Sequence, residues 1–348
     1  MGFKKVIICW YLDNKRDLPW RRTKNPYYIW LSEIILQQTQ VKQGLPYYEA
    51  FVETYPTILD LANATEESVL KLWQGLGYYS RARNLHTTAK HIAFDLKGQF
   101  PNNYNDLLKL KGVGDYTASA VASIAFNEVA AVVDGNVYRI LSRYFGVYTP
   151  INSTKGIKAF KLLATDLIDK QQPATFNQAI MEFGARQCKP KNPDCFACPL
   201  QNQCVALQHN AVKMLPVKIK KTKVTTKYFN FLVCIDSNKN VLFEKRKSKG
   251  IWQNLYQFPL IESKKSLTVN EFHLLNLDFM LKKAAFNYTL YNDVDIVHKL
   301  SHQHLHTKFW IIEVNTLPKA AIPIANLTKY PAPVLISDFI EKFNFSNL

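Results

Sequence analysis

Leu110-Lys-Gly112-Val113-Gly114-Asp-Tyr116-Thr-Ala-Ser-Ala120 is the stretch that decides the fold. It reads as a short helix, a Gly-x-Gly turn and a second helix rich in small residues. Glycine at both turn positions permits positive φ and leaves no side chain in the way. The following helix can then aim free backbone N–H groups at a phosphate. Ala and Ser on that helix let two helices pack closely. The pattern predicts a helix-hairpin-helix that clamps a nucleic-acid backbone through Gly112, Val113 and Gly114 without reading sequence. An ordinary αα-turn is the plainer alternative.

Outward from the hairpin the helical pattern continues. Asn25-Pro26 reads as an N-cap with Pro at the first helical position, opening a helix to about Val41. Further helices are expected at 45–55, 66–76, 80–96, 105–110, 116–126, 136–145, 156–169 and 175–187. No strand-like alternation is sustained before residue 227. Residues 1–208 are thus expected to form one all-helical domain, followed by a basic linker over 209–227 containing Lys213, Lys218, Lys220, Lys221, Lys223 and Lys227. Beyond it the period becomes two. Residues 228–235 and 241–246 predict a hairpin, 295–299 and 307–314 strands, and 267–286 and 334–345 helices. Residues 228–348 are therefore expected to be a second, α+β domain.

The formal charge of +17, from 44 Lys+Arg against 27 Asp+Glu, suits a polyanion partner. No apolar run reaches the length of a membrane span, and the N-terminal patch lacks a small-residue cleavage site. A cytoplasmic, nucleoid-associated monomer with no membrane partner is expected. Four of the six cysteines, Cys188, Cys195, Cys198 and Cys204, are spaced C-x6-C-x2-C-x5-C. A single C-x2-C with long outer gaps and no interspersed His favours an iron–sulfur cluster over zinc, and a disulfide pair is disfavoured. No catalytic duty attaches to this loop. It is expected to staple the end of the helical domain and present Arg186, Lys189 and Lys191 to a phosphate backbone.

Two acids stand out. Glu33 lies on the most apolar helix, sharing a face with Ile29, Trp30, Leu36, Gln37 and Gln40. A carboxyl on that stripe should be desolvated, with its pKa raised toward that of a general acid. An exposed helix-edge Glu is the alternative. Gln37 and Gln38 beside it can hydrogen-bond base edges. Asp134, in Asp134-Gly135-Asn136, reads first as an N-cap. One protonated and one ionised carboxyl are what hydrolysis of a glycosidic bond needs.

The hairpin, the acid after it and the four-cysteine loop, in that order, resemble the endonuclease III superfamily of DNA glycosylases. Leu18-Pro-Trp20-Arg21, Trp30-Leu-Ser-Glu33-Ile-Ile-Leu-Gln-Gln-Thr-Gln-Val41, Gly75-Leu-Gly-Tyr78-Tyr-Ser-Arg81-Ala-Arg83 and Asp134-Gly-Asn136-Val resemble its adenine-specific (MutY) branch. The resemblance implies a 4Fe-4S cluster and a duplex-DNA partner containing A:8-oxoguanine or A:G mispairs. It implies Glu33 as the general acid that protonates adenine, Asp134 as stabiliser of the sugar cation, and Asn136 as support for the site. Tyr116 stands where lyase members carry a Schiff-base lysine, which argues against an endonuclease III-like glycosylase/lyase for oxidised pyrimidines. Arg21 and Glu182 match positions lining the adenine pocket. Gln38 and Tyr78 match residues inserted into the base stack, with Arg81 in the same motif as Tyr78. Residues 250–259 resemble the signature loop of a Nudix-like domain whose acidic metal-binding helix is absent here. Leu300-Ser301-His302 stands where the family reads 8-oxoguanine with Phe-Ser-His.

Overall fold

The computed structural model describes residues 2–219, 224–275, 277, 286–317 and 320–345, which divide into two compact units. The first comprises Met1–Asn63 and Asn84–Lys220, and the second Ala64–Arg83 and Lys221–Leu348. The sequence alone puts 64–83 with the helical domain. The segment goes with the second unit because its polar side chains bond there: Glu66 with Asn254, Glu67 with Tyr256 and Gln74 with Ser337.

In the first unit, helices α1 (Phe3–Asn14), α2 (Pro26–Leu36), α3 (Val41–Thr54) and α4 (Ile58–Asn63) come first in the chain. Helix α5 (Glu66–Leu72) belongs to the second unit, and the division falls within α6 (Ser80–Lys90). Helices α7 (Tyr104–Leu107), α8 (Asp115–Phe126), α9 (Gly135–Phe145), α10 (Thr154–Leu167), α11 (Pro173–Arg186) and α12 (Val205–Gln208) complete the first unit. Among its described residues no strand occurs, as expected. Helix α1, absent from the sequence expectation, packs on α11 and sends Ile7 and Tyr11 into the main core with Val137, Leu141, Phe160 and Phe183.

Helix α2 starts as the sequence implies: the Asn25 side chain accepts from the Tyr27 N–H and Pro26 opens the first turn. It ends at Leu36 rather than Val41, because Gln37 turns to an extended ψ and Gln38 takes a left-handed φ of 54°. The hairpin is where the Gly-x-Gly turn placed it, between α7 and α8. Gly112 has φ +80°, and a Cβ there would lie 2.7 Å from Cβ of Asn84, so both conformation and space demand glycine. The small residues Ala118, Ser119, Ala120, Ala122 and Ser123 are buried, which lets α8 and α2 pack together.

The second unit is built on β1 (Thr225–Asp236), which runs parallel to β8 (Gln303–Val314) in unbroken register from Thr225↔Gln303 to Asp236↔Val314. On the far edge of β8 lie β6 (Phe286–Leu290) and β7 (Ile296–Lys299), both antiparallel to it. The expected hairpin shrinks to one pair, Ile235↔Val241. Beyond that pair β5 (Leu260–Ser263) occupies the same edge of β1, so the chain after β2 (Asn240–Val241) has no partner there. It forms β3 (Glu244–Lys245) against β4 (Tyr256–Gln257) instead, while β9 (Ile322–Pro323) pairs with β2. Alternation on β8 fills both faces. Phe309 stacks on Phe339 of the last helix, α14 (Val334–Lys342), at 4.1 Å, and Trp310 stacks on Phe272 at 3.8 Å. The helix expected over 267–286 is observed only as α13 (Val269–His273), begun by a Thr268–Glu271 capping box. Its end is overturned because Phe286 already opens β6, and residues 276 and 278–285 lie outside the described residues.

Candidate active site

Glu33 lies buried on α2, at 7% exposure, despite being ionisable. Burial raises its pKa to about 7, helped by the like charge of Asp134 and opposed by the Tyr116 hydroxyl and by Arg21. Tyr116, from the first turn of α8, lies beside Glu33 and donates its hydroxyl to the Met181 sulfur at 3.1 Å. Burial likewise pushes the phenol well above 10. Gln37 donates to Thr117 Oγ1 at 3.2 Å, so its amide is directed along the α2–α8 contact, whereas Gln38 is exposed.

Asp134 is the N-cap of α9. Its Oδ1 accepts from the backbone N–H groups of Asn136 (2.9 Å) and Val137 (2.8 Å), and its Oδ2 from the Asn136 amide (2.7 Å). Burial raises its pKa, while those donors and Arg139 favour the anion. Arg139 bonds Asn136 Oδ1 (2.8 Å), the Gly184 carbonyl (2.6 Å) and the Cys188 carbonyl (2.7 Å), tying the cap to the start of the cysteine loop. One turn on, Arg143 donates to the Lys189 carbonyl at 2.8 Å and reaches the Cys188 sulfur at 3.4 Å.

Glu182, 1% exposed, receives Arg16 at 2.6 Å and Arg21 at 2.7 Å. Burial alone would raise its pKa; the two guanidinium groups outweigh it and hold the carboxyl at about 2. Arg21 also lies over the Tyr11 ring at 5.5 Å. The structure thus gathers Arg21, Glu33, Tyr116, Asp134, Asn136 and Glu182 in the first unit. It adds Arg16, Met181, Arg139 and Arg143, which no sequence pattern singles out. Met181 adjoins Glu182 and Arg139 lies just beyond Asn136, whereas nothing local in the sequence points to Arg16 or Arg143.

Cys188, Cys195, Cys198 and Cys204 are free thiols lining one cavity, with Arg143 on its wall. Burial pushes the Cys198 thiol up to about 11, and the neighbouring thiolates act in the same sense. Among the described residues, no three His, Cys, Asp or Glu side chains could hold a metal ion. Four thiols that line one cavity are a donor set of the kind that can hold an iron–sulfur group.

In the second unit a cavity of about 530 Å³ is lined by Tyr78, Arg83, Trp252, His298, Ser301 and His302, among others. Tyr78 is 48% exposed with φ +46°. Arg81 is turned inward: it lies over the Trp73 ring at 5.0 Å and donates to the Leu76 and Gly77 carbonyls at 3.3 Å. It braces the Tyr78 loop instead of facing outward. Among the described residues no helix is long and apolar enough to cross a membrane.

Residues 31–163 match the HhH-GPD superfamily of base excision DNA repair proteins, and residues 230–342 match the NUDIX domain. The first unit's fold is shared with a thermostable thymine-DNA glycosylase (TM-score 0.55, 32% identity, covering 60% of this chain and 95% of that one). It is also shared with endonuclease III in a non-covalent DNA complex (TM-score 0.52, 24% identity, 60% and 94%). These define the class: a helix-hairpin-helix DNA glycosylase fold joined to a Nudix-like domain. Among curated proteins, the adenine DNA glycosylase of Buchnera aphidicola subsp. Schizaphis graminum is 36% identical over 306 residues, 87% of this chain and 85% of its own. That of Homo sapiens is 43% identical over 216 residues, 60% of this chain and 40% of its own. The chain belongs to the adenine DNA glycosylase family.

Proposed function

We propose that this protein removes adenine mispaired with 8-oxoguanine, or with guanine, from duplex DNA, leaving an abasic site. The observation that carries the reading is Glu33, a buried carboxyl with a pKa of about 7, set beside Tyr116 and Asp134. At neutral pH a substantial fraction of Glu33 holds a proton that it can give to the departing base as the C–N bond breaks. Asp134, held by three donors, offers negative charge to the cationic sugar, and Arg139 fixes Asn136 against it. Glu33, deprotonated by then, takes a proton from the water that adds to the sugar. A phenol at 116 cannot form the imine that an amine would, so the strand stays intact and the enzyme is monofunctional.

Arg21 and Glu182 line the adenine pocket in this reading, with the Glu182 carboxylate as acceptor for an exocyclic amine. The hairpin turn at Gly112-Val113-Gly114 meets the phosphate backbone, since α8 has no side-chain cap at Gly114. Gln38 and Tyr78 enter the base stack. The cavity that places Tyr78 with Ser301 and His302 reads the partner base; Leu300 replaces an aromatic there, leaving recognition to the hydroxyl and the imidazole. Cys188, Cys195, Cys198 and Cys204 hold a 4Fe-4S cluster that staples the end of the helical unit and contributes no step of the reaction.

Single-turnover base release from A:8-oxoguanine, A:G and A:T duplexes tests this reading. Release from the first two, without strand breaks until alkali is added, is expected. Efficient nicking without alkali, or adenine release undiminished in Glu33→Gln, would overturn it.

A further inference from the structure

The loop that carries Tyr78 is strained, and what restrains it lies in the second unit itself. Gly75 (φ +101°), Gly77 (φ +72°) and Tyr78 (φ +46°) all have left-handed backbones. A non-glycine residue there persists only where its surroundings over-determine it. Some restraint is local: Trp73 Nε1 donates to the Gly77 carbonyl at 3.0 Å. The rest comes from residues 250–257 and 330–337. Asn254 Nδ2 donates to Glu66 at 2.6 Å and the Tyr256 hydroxyl to Glu67 at 2.9 Å, seizing the first turn of α5, which leads into the loop. Arg83 donates to the Gln253 carbonyl at 2.9 Å, and Tyr79 to the Ala332 carbonyl at 3.3 Å, on the loop's other side.

The segment Gly250–Trp252 that begins this clasp is also a wall of the cavity, which Ser301 and His302 line as well. Asn254 itself sits at φ +66°, a conformation its amide contact to Glu66 accompanies. We infer that Asn254 and Tyr256, through Glu66 and Glu67, are positioning residues that set Tyr78 against the partner-base cavity, so that discrimination between lesion and normal partner depends on this clasp. The inference rests on the proposed reading of that cavity. Neither residue touches the reacting atoms; each acts through Tyr78.

The test uses full-length Asn254→Gly, which keeps the left-handed backbone while deleting the amide, and Tyr256→Phe, which deletes one hydroxyl. Adenine release and duplex affinity are measured for A:8-oxoguanine and A:G. Losing hydrogen bonds to charged partners predicts that the preference for A:8-oxoguanine falls about tenfold, through affinity and rate on the lesion duplex, with A:G nearly unchanged. Glu67→Gln, which can still accept from Tyr256, should retain most of the preference. Equal losses on both duplexes, or an intact preference in both variants, would overturn the clasp. A wild-type protein that treats the two duplexes alike would overturn the cavity's role, and the clasp with it. Ser301→Ala separates the cases: lost preference there, with preference kept in the clasp variants, defeats the clasp alone.

Discussion

Glu33 and Glu182 are both buried carboxyls of the first unit, at 7% and 1% exposure, yet they stand at opposite ends of the titration range. Glu33 has its pKa raised to about 7, Glu182 lowered to about 2. Desolvation raises both. What separates them is company: Glu182 receives two guanidinium groups within 2.7 Å, whereas Glu33 meets a phenol and a second acid, with Arg21 a weaker influence. Arg21 thus serves one acid strongly and the other hardly at all. Burial alone therefore does not keep a carboxyl protonated near neutral pH; burial with no strong cation does, and a nearby paired carboxylate holds the cations that would lower its pKa.

The sharpest way to break the contrast is to remove the proton. Glu33→Gln should lower single-turnover adenine release by on the order of 10³-fold, and wild-type release should fall as pH rises through about 7, where Glu33 ionises. Next is Glu182→Gln, which leaves Arg16 and Arg21 without their shared anion; denaturant unfolding at pH 7 should show a loss of about 3 kcal/mol. The sign with pH follows. Glu182 has a depressed folded pKa, so its contribution is present above the unfolded value near 4.5 and disappears as pH falls toward 2. Wild type and the Glu182→Gln variant should therefore converge in stability in acid. Glu33 behaves oppositely. Its folded pKa is raised, so the folded state binds the extra proton and stability falls as pH rises from about 4.5 to 7. Glu33→Gln should consequently be more stable than wild type at pH 8, by about 1–3 kcal/mol, and no more stable at pH 4. Equal stability at both pH values would mean that Glu33 is not desolvated as the fold implies.

Much of this contrast is legible in the sequence, unevenly. The apolar stripe around Glu33 announces a desolvated carboxyl, and the Gly-x-Gly turn announces the hairpin, because local patterns record local physics. The Arg16–Glu182 pair joins residues far apart in the chain, and no periodicity marks such a contact. Arg139 looks like an ordinary helix residue until the fold places Gly184 and Cys188 around it. The same holds for segment 64–83: its helix is visible, but its attachment to the second unit depends on Asn254 and Tyr256. The β1–β2 hairpin fails for a similar reason. Alternation identifies the strands, while the competing partner for that edge, β5, lies further along.

The finest adjustment in the comparison is the Tyr116 hydroxyl. It is the strongest influence holding the pKa of Glu33 down against burial, and its reach is limited because the phenol is itself buried and uncharged. Tyr116→Phe removes that hydroxyl and leaves the ring that fills the space beside Met181. Glu33 should then hold its proton to higher pH, moving the alkaline limb of the rate profile upward by about half a unit to one unit. The rate at pH 6, where Glu33 is already mostly protonated, should change little. An alkaline limb that stays in place would show that the hydroxyl serves Met181 rather than Glu33, leaving Arg21 alone to oppose the burial and the Asp134 charge that raise the acid.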